Sequence, residues 1–163
     1  MHIIIKNQKL SYGNYKVKCS IGKRGIGIKN KEGDLITPIG VYTINKIFYR
    51  KDRIKKLTTK CSISVIKKNM GWCDDIRSTK YNKLIKYPFK YSSEKLYRKD
   101  NTYDIILVLS FNTHPIRKGR GSAIFIHIAK KNYKKTSGCI AVKKNDLKKI
   151  IKTVSRKTKV IIS

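Results

Sequence analysis

A histidine and a cysteine, residue types that can act together as a base and a nucleophile, bound the stretch HIAKKNYKKTSGC. His127 closes an apolar run, and Cys139 follows behind a glycine and two hydroxyl residues. An imidazole within hydrogen-bond reach of a thiol can remove its proton, and the resulting thiolate can attack an acyl carbon. The same spacing also fits two structural residues, because a catalytic pair is defined by its positions in space.

The segments around both residues predict how they are positioned. In SAIFIHIA, residues 122 to 129, alternate positions on both faces of the predicted strand are apolar, so we expect this strand to be central in its sheet. Gly138 allows close backbone approach just before Cys139, and the triplet IAV that follows indicates a second buried strand. If the two strands are neighbours, thiol and imidazole meet at one end of the sheet. The N–H groups of Gly138 and Cys139 could then face a developing oxyanion.

The rest of the chain predicts a mainly β fold. Short segments rich in Ile, Val, Tyr and Phe recur between turn signals, and their lengths are typical of strands. These segments are HIII, YKVKCSIG, GVYTINKIFY, CSISVIK, YDIILVLSF, SAIFIHIA, GCIAV and KVIIS. We expect one domain over residues 1–163, a β-sandwich or open barrel of mixed strands with one late α-helix.

The late helix is predicted in KNDLKKIIKTVSRK, where apolar residues from Leu147 to Val154 fall at helical spacing and Asn145 is the expected N-cap. Residues 74–100 are polar and rich in turn formers, and they predict a long loop with a short helix near Glu94 to Tyr97. Long ordered loops in compact domains tend to be functional.

The charge is extreme, with 40 Lys and Arg against 9 Asp and Glu and a net charge of +31. It predicts non-specific attraction to polyanions such as nucleic acid, anionic lipid or an acidic wall polymer. An AT-rich coding sequence also accounts for abundant lysine, isoleucine, asparagine and tyrosine. No signature of specific nucleic-acid binding is present, although the charge and ten tyrosines keep a nucleic-acid-binding protein as an alternative.

The cysteines show no zinc-finger spacing, and Cys19 and Cys61 are expected to be buried small hydrophobes. A zinc site built from His114, His127 and Cys139 is the metal-dependent alternative, but no compact ligand motif supports it. No stretch approaches the ~20 apolar residues of a membrane span. The N-terminal residues are too soon polar for a secretory signal, and they predict a first strand.

Three separate stretches carry a family resemblance. TSGC with an upstream histidine resembles the signature of the YkuD-type L,D-transpeptidases, and GDLITPIGVYTI, residues 33–44, is similar to the family's Thr-Pro-x-Gly turn and following strand. GWCDDIRSTKYN together with GRGSAIFIH is similar to a bacterial subgroup of the same domains. The resemblance covers roughly residues 15–152, with the stretches in the family's order.

The resemblance implies a reaction on peptidoglycan stem peptides in the bacterial periplasm or cell envelope. Cys139 would attack the carbonyl after the third stem residue and expel the terminal D-alanine, with His127 as base. A neighbouring amine would resolve the acyl-enzyme into a cross-link, and water would trim the stem. No metal and no organic cofactor is implied.

Further residues are assigned supporting roles. Thr136, Ser137 and Gly138 would hold the oxyanion or substrate, and Arg120 and Ser122 would contact substrate carboxylate or backbone unless they only complete a turn. Cleft-lining positions are also expected in the long loop, at Trp72, Asp74, Asp75, Tyr81 and Asn82. Thr37, Pro38 and Gly40 are expected to form a turn near the site without chemistry.

Two positions depart from the family pattern. Many members carry a second histidine directly before the Gly-Cys pair, where this chain has Ser137, and Arg or Asn two positions after the cysteine, where it has Ala141. The spacing from His127 to Cys139 is also shorter than in most members. A catalytically silent, wall-binding domain is therefore a further alternative.

Overall fold

Strands make up most of the ordered elements in the computed structural model, which describes residues 1–163. The strands are β1 (Ile3–Lys6), β2 (Lys9–Tyr12), β3 (Tyr15–Ser20), β4 (Ile26–Gly27), β5 (Thr37–Pro38), β6 (Gly40–Tyr49), β7 (Ile63–Val65), β8 (Met70–Cys73), β9 (Leu84–Lys86), β10 (Ser93–Lys95), β11 (Ile105–Leu109), β12 (Phe125–Ile128), β13 (Ile140–Val142) and β14 (Lys159–Ile162). A short 3-10 segment covers Lys131–Tyr133, and the single α-helix, α1, covers Lys144–Thr153.

The main sheet closes into a barrel through its long strand β6. The strand order is β11-β12-β13-β3-β2-β1-β14-β6-β7, and β6 also pairs with β11. β6 is long enough to pair with β14 over its first residues and with β11 over its later ones. Parallel pairs (β1 with β14, β12 with β13) stand beside antiparallel ones. The expectation of a mainly β fold of mixed strands with one late helix is confirmed.

Two separate hydrophobic cores lie on the two faces of β12. Ile126 and Ile128 belong to the larger core, which the barrel strands share with the buried face of α1. Phe125 belongs to the smaller core, which also contains Trp72 of β8 and Tyr103. Every residue of β12 is buried, and the strand lies between β11 and β13. The predicted central position of the His127 strand is therefore confirmed.

The eight predicted strand segments all contain strands: GVYTINKIFY matches β6 over its whole length, and each of the other seven loses at least one end residue. Two details of the sequence prediction are wrong. The helix begins at Lys144 with Lys143 as its N-cap, not at Asn145, because Lys143 alone separates it from the end of β13. Glu94 to Tyr97 is not helical, since Ser93–Lys95 is the strand β10.

The long loop is also more ordered than expected. Within residues 74–100, β9 and β10 pair antiparallel with the two edges of β8 and form a three-stranded sheet. The backbone of these polar residues is therefore hydrogen-bonded to β8, which explains why a helical turn there is excluded. This small sheet covers the face of β12 that carries His127. No helix of the structure combines the length and apolarity of a membrane span.

Candidate active site

Two adjacent parallel strands position His127 and Cys139. In the β12–β13 register Ile126 lies opposite Ile140 and His127 opposite Ala141, so Cys139 comes directly before β13. Side chains two positions apart share a face of a strand. Cys139 and Ala141 therefore face the same side as His127, with the cysteine offset by one strand repeat, roughly 7 Å. The predicted neighbourhood of the two segments is confirmed, and both side chains line one cavity.

The imidazole of His127 is held in one tautomer. Its Nδ1 lies 3.0 Å from the carbonyl oxygen of Ile128, and because a carbonyl only accepts, Nδ1 carries the proton. Nε2 then has the free lone pair. Burial lowers the pKa of His127 to about 4, and the charges of Arg98 and Lys130 lower it as well. The ring is neutral at neutral pH and able to accept a proton.

The ring of Tyr103 fixes the orientation of the imidazole from the side. The two ring centroids are 5.3 Å apart in an edge-to-face arrangement. Tyr103 also packs edge-to-face on Phe125, and its hydroxyl donates to Glu94 at 2.5 Å. The strand, the backbone carbonyl and the aromatic neighbour together leave His127 little freedom to turn.

The Cys139 thiol is engaged by backbone groups in this structure. Its Sγ–H donates to the carbonyl oxygen of Ala123 at 3.0 Å, and the Phe125 N–H donates to Sγ at 3.4 Å. Burial raises the pKa of the thiol to about 12, and the charge of Glu94 acts in the same direction. The site thus holds a neutral thiol and a neutral imidazole.

The turn before Cys139 is shaped by Thr136. Its hydroxyl donates to the carbonyl oxygen of Cys139 at 2.5 Å and accepts from the Gly138 N–H at 3.1 Å. The N–H of Gly138 is therefore already used within the turn. Neither the N–H of Cys139 nor the N–H of Ser137 donates to a protein atom. Of the two predicted oxyanion donors, the Cys139 N–H is the free one.

The stretch containing Thr37 supports this turn from behind. The buried Thr37 hydroxyl donates to the carbonyl oxygen of Gly138 and accepts from the Gly22 N–H, both at 2.8 Å. Gly138 has a φ of 141°, and a Cβ there would lie 2.9 Å from the carbonyl oxygen of Ile36. Only glycine fits both requirements. Thr37 and Pro38 form β5, paired with β4, so this segment is a strand where the sequence predicted only a turn.

The side chains of Asn82 and Trp72 hold the segment around Ala123, whose carbonyl oxygen accepts the hydrogen bond of the Cys139 thiol. The Asn82 side-chain oxygen accepts from Trp72 Nε1 at 2.9 Å and from the Ala123 N–H at 3.0 Å. Its amide nitrogen donates to the carbonyl oxygen of Asn112 at 2.7 Å. Tyr81 accepts from the Gly121 N–H at 3.0 Å. These buried groups lie one layer behind the site and set the position of the Ala123 carbonyl.

The shared cavity has a volume of about 520 Å³. It brings together most of the predicted site residues, and these are Ser122, His127, Thr136, Ser137, Gly138 and Cys139. Ala141 lines it as well, beside His127. Asp74 faces the cavity too.

Five predicted cleft residues do not line the cavity, and two of them, Tyr81 and Asn82, belong to the layer behind the site described above. Trp72 is buried behind the site, edge-to-face on Phe125, because its large apolar ring completes the smaller core. Arg120 is exposed and lines a separate depression with Arg117. Asp75 forms an ion pair with Arg77 and does not line the cavity.

Several cavity-lining residues were not recognised in the sequence. Glu32, Glu94, Arg98 and Tyr103 all face the cavity. Each lies in a loop or short strand far from His127 and Cys139 in sequence, and no local motif marks them. The loop after β12 also contributes lysines to the cavity lining, at Lys130, Lys134 and Lys135.

The three residues of the alternative zinc site, His114, His127 and Cys139, do not come together in the structure. His114 is exposed on the loop after β11 and lies outside the cavity that contains His127 and Cys139. No group of three or more His, Cys, Asp or Glu side chains is arranged so that it could hold a metal ion.

Comparison with known proteins agrees with this geometry. The sequence matches the YkuD family, described as the L,D-transpeptidase catalytic domain, over residues 1–162. No curated protein matches the chain.

Proposed function

The chain belongs to the YkuD family of L,D-transpeptidase catalytic domains, and on that premise we propose that it is a cysteine-dependent acyltransferase acting on peptidoglycan stem peptides. Residues 1–163 form its single catalytic domain. Cys139 is the nucleophile, His127 is the base, and the reaction needs no metal or organic cofactor. Its substrate lies in the bacterial cell envelope, and the family assignment supports this part of the proposal.

In the acylation step the thiol first rotates away from the Ala123 carbonyl toward Nε2 of His127. Nε2 takes the proton from Sγ, and the sulfur attacks the carbonyl carbon of the third stem residue. The N–H of Cys139 donates to the oxyanion that forms. Collapse of the intermediate breaks the bond to the terminal D-alanine, whose amine takes the proton from the imidazolium.

In the second step an amine of a neighbouring stem attacks the thioester. The His127 imidazole accepts a proton from this amine, the carbon–sulfur bond breaks, and the sulfur is reprotonated. The product is a cross-link and the free enzyme. Water in place of the amine yields a trimmed stem, which is the carboxypeptidase side reaction.

One observation carries the proposal. Cys139 is the partly exposed cysteine of the chain, and it lines the same cavity as a histidine whose protonated Nδ1 leaves Nε2 free. The other three cysteines are buried. Thiol, base and a free backbone donor therefore share a cavity of the volume that small-molecule sites have.

The test is intact-mass analysis after incubation with a stem tetrapeptide and, separately, with a carbapenem. We expect a covalent adduct on the wild-type chain that is absent in Cys139→Ala. In His127→Ala the rate of adduct formation should fall by about 100-fold or more. Cys61→Ala is the matched control, because it removes a buried thiol outside the cavity, and its adduct should form at the wild-type rate.

A wild-type chain that forms no adduct with either compound would favour the silent wall-binding domain. Ser137 and Ala141 are the positions to examine in that case, since both line the cavity and differ from many relatives. An adduct that persists in Cys139→Ala would instead place the nucleophile elsewhere.

The net charge of +31 supports a non-specific association with anionic polymers around the substrate. Such binding is separate from catalysis and should weaken steeply as the salt concentration rises. A Cys139→Ala variant should retain it, whereas a protein whose only function were nucleic-acid binding would retain all of its activity in that variant.

A further inference from the structure

The outer face of the barrel carries a row of apolar side chains. In the strand registers, five outward positions lie side by side across β6, β14, β1, β2 and β3, and these are Val41, Ile161, Ile4, Ser11 and Lys16. The next residue along each of the first three strands packs into or against the larger core, so Val41, Ile161 and Ile4 point away from it. Val41 is 63% exposed and Ile4 43%, and Ile161 is half-buried. We call these three residues the apolar row.

The apolar row breaks the usual alternation of such strands. A strand with one face on a core and the other in water places apolar residues inward and polar residues outward. One exposed apolar side chain by itself is ordinary on a protein surface. Here three neighbouring strands each place a β-branched apolar residue outward at the same level. Exposed apolar side chains that adjoin in this way indicate an interaction surface.

Lysines border the apolar row, and acidic residues are absent from its strands. The next outward positions are Lys6, Lys9 and Lys18 on one side of the row and Lys159 on the other. All four are exposed, and none forms an ion pair. The five strands contain no Asp and no Glu. This face therefore offers aliphatic surface together with uncompensated positive charge.

The chemistry of this face selects among possible partners. A second copy of the chain would bring two lysine borders together, and three side chains cover far less than the roughly 1,600 Å² of a standard interface. Nucleic acid would use the lysines, but its bases stack on aromatic side chains, and the apolar row has none. A bilayer surface with anionic head groups complements both features, because lysine stems can lie along it with their ammonium groups at the polar level.

We propose that the outer face of β1, β2, β3, β6 and β14 binds the surface of membranes that contain anionic lipids. The apolar row enters the boundary between head groups and acyl chains, and the bordering lysines contact the anionic head groups. The contact is peripheral. It goes beyond the proposed function and does not depend on it.

The position of this face in the barrel has a consequence for the site. Leaving β7 aside, the barrel closes through eight strands, and β1 lies four strands from β12 in both directions. His127 and the apolar row both point outward, since their neighbours along the strands lie in the larger core. A protein bound through the apolar row therefore turns the cavity of Cys139 away from the bilayer.

The test measures partition of the full chain onto vesicles of equimolar phosphatidylglycerol and phosphatidylcholine at about 0.15 M salt. The double variant Ile4→Thr, Val41→Thr is compared with the matched control Ile28→Thr, Ile76→Thr, whose residues are 72% and 53% exposed outside the row. Threonine keeps the β-branched shape that strands favour. Both variants keep the net charge of +31, so charge cannot account for a difference. We expect about tenfold weaker partition in the first variant and an unchanged value in the control.

A second pair of variants tests the lysine border. Lys6→Gln, Lys9→Gln removes two charges beside the apolar row, and Lys86→Gln, Lys95→Gln removes two exposed charges from β9 and β10, in the small sheet over the face of β12 that carries His127. The two variants have the same net charge. We expect partition to weaken by about tenfold or more in the first and by less than about threefold in the second. Circular dichroism shows whether each variant is folded, and the lysine pair decides the question if the threonine pair unfolds.

Equal partition of Ile4→Thr, Val41→Thr and its control overturns the inference, as do equal effects of the two lysine pairs, because net charge alone then accounts for binding. A wild-type dimer in analytical ultracentrifugation that dissociates in Ile4→Thr, Val41→Thr assigns the row to a second copy and also overturns it. An equally large loss of affinity for a DNA duplex in that variant does so in favour of nucleic acid. Carbapenem acylation is measured separately, so failure of the proposed function leaves this result intact.

Discussion

The thiol of Cys139 donates its hydrogen to the carbonyl oxygen of Ala123, at 3.0 Å, and not to His127. The thiol is therefore held by Ala123, in the segment that precedes the strand β12 of His127. In this state both members of the proposed pair are uncharged, because burial raises the pKa of the thiol to about 12 and lowers that of the imidazole to about 4. Activation needs a side-chain rotation that the substrate must favour.

The first prediction concerns the pH dependence of thiol reactivity in the absence of substrate. Alkylation follows the thiolate fraction, so with a pKa raised to about 12 the rate should rise through about pH 10 without levelling off. A free small-molecule thiol with a pKa near ~8.5 levels off by then. Intact-mass kinetics with iodoacetamide, corrected with Cys139→Ala, measure this profile. A plateau near neutral pH would show a preformed thiolate–imidazolium pair.

The second prediction concerns the turn before Cys139. Gly138→Ala introduces a Cβ at a φ of 141° and 2.9 Å from a backbone oxygen, so we expect a loss of about 2–3 kcal/mol in the free energy of unfolding. Acylation should slow as well, because the Cys139 N–H moves. Gly25→Ala shares a positive φ of 84° but meets no atom within 4 Å, and should lose about 1–2 kcal/mol with normal acylation. Urea denaturation provides the comparison, and equal losses would contradict the contact with Ile36.

The third prediction concerns the two hydrogen bonds that the Asn82 side-chain oxygen accepts, from Trp72 and from the Ala123 N–H. Asn82→Ala leaves the Trp72 and Ala123 N–H groups without their acceptor, and the expected loss is about 2–3 kcal/mol in the free energy of unfolding. The acylation rate should change too, since Ala123 holds the thiol. Asn7→Ala is the control, because Asn7 also has a positive φ, on an exposed turn far from the site. If both variants lose the same free energy of unfolding, the effect of replacing Asn82 comes from its backbone conformation and not from its hydrogen bonds.

The fourth prediction concerns the ion pair between Lys29 and Asp34, whose side chains are only 2% and 5% exposed. Burial raises the pKa of Asp34, but the hydrogen bond and charge of Lys29 and nearby N–H groups outweigh it, so the net pKa is lowered. Asp34→Asn should therefore lose about 3 kcal/mol of stability at neutral pH, through an unpaired buried lysine.

The contribution of Asp34 is present above the pKa of the unfolded carboxyl, ~3.9, and is lost as the pH falls through the lower folded value. The difference between wild type and Asp34→Asn should accordingly shrink on acidification. Asp100→Asn, which breaks a pair whose side chains are 32% and 43% exposed, should lose about 1 kcal/mol or less. Similar losses at neutral pH in both variants would contradict the role of burial.

The sequence predicted those parts of the molecule that depend on local pattern. The barrel strands β3, β6, β11 and β12 follow apolar runs or alternation, and the adjacency of His127 and Cys139 follows from two buried segments joined by a short loop. The small sheet of β8, β9 and β10 was missed because its strands have only three or four residues, too few to show a pattern, and β10 consists of polar residues alone. Its pairing depends on long-range contacts, not on propensity.

The walls of the site were the least predictable part. Trp72 was expected in the cleft, but its ring is large and apolar and packs behind Phe125. Glu32 and Glu94 reach the cavity only because a loop and the short strand β10, both distant in sequence from Cys139, converge there. A position in such a loop acquires its surroundings from the closed barrel, and a single sequence carries no signal for it.

The connection between β12 and β13 has a further consequence. Parallel neighbours require the chain to return along the full length of the strand, and residues 129–139 do so without an α-helix, with only the short 3-10 segment Lys131–Tyr133. This return path forms the lysine-lined wall of the cavity, and it is tied to the end of β3 by hydrogen bonds from Ser20. Insertions or deletions in it would widen or narrow the cleft while both reactive residues keep their strands. Substrate range can therefore diverge by changes in loop length alone, independently of the chemistry.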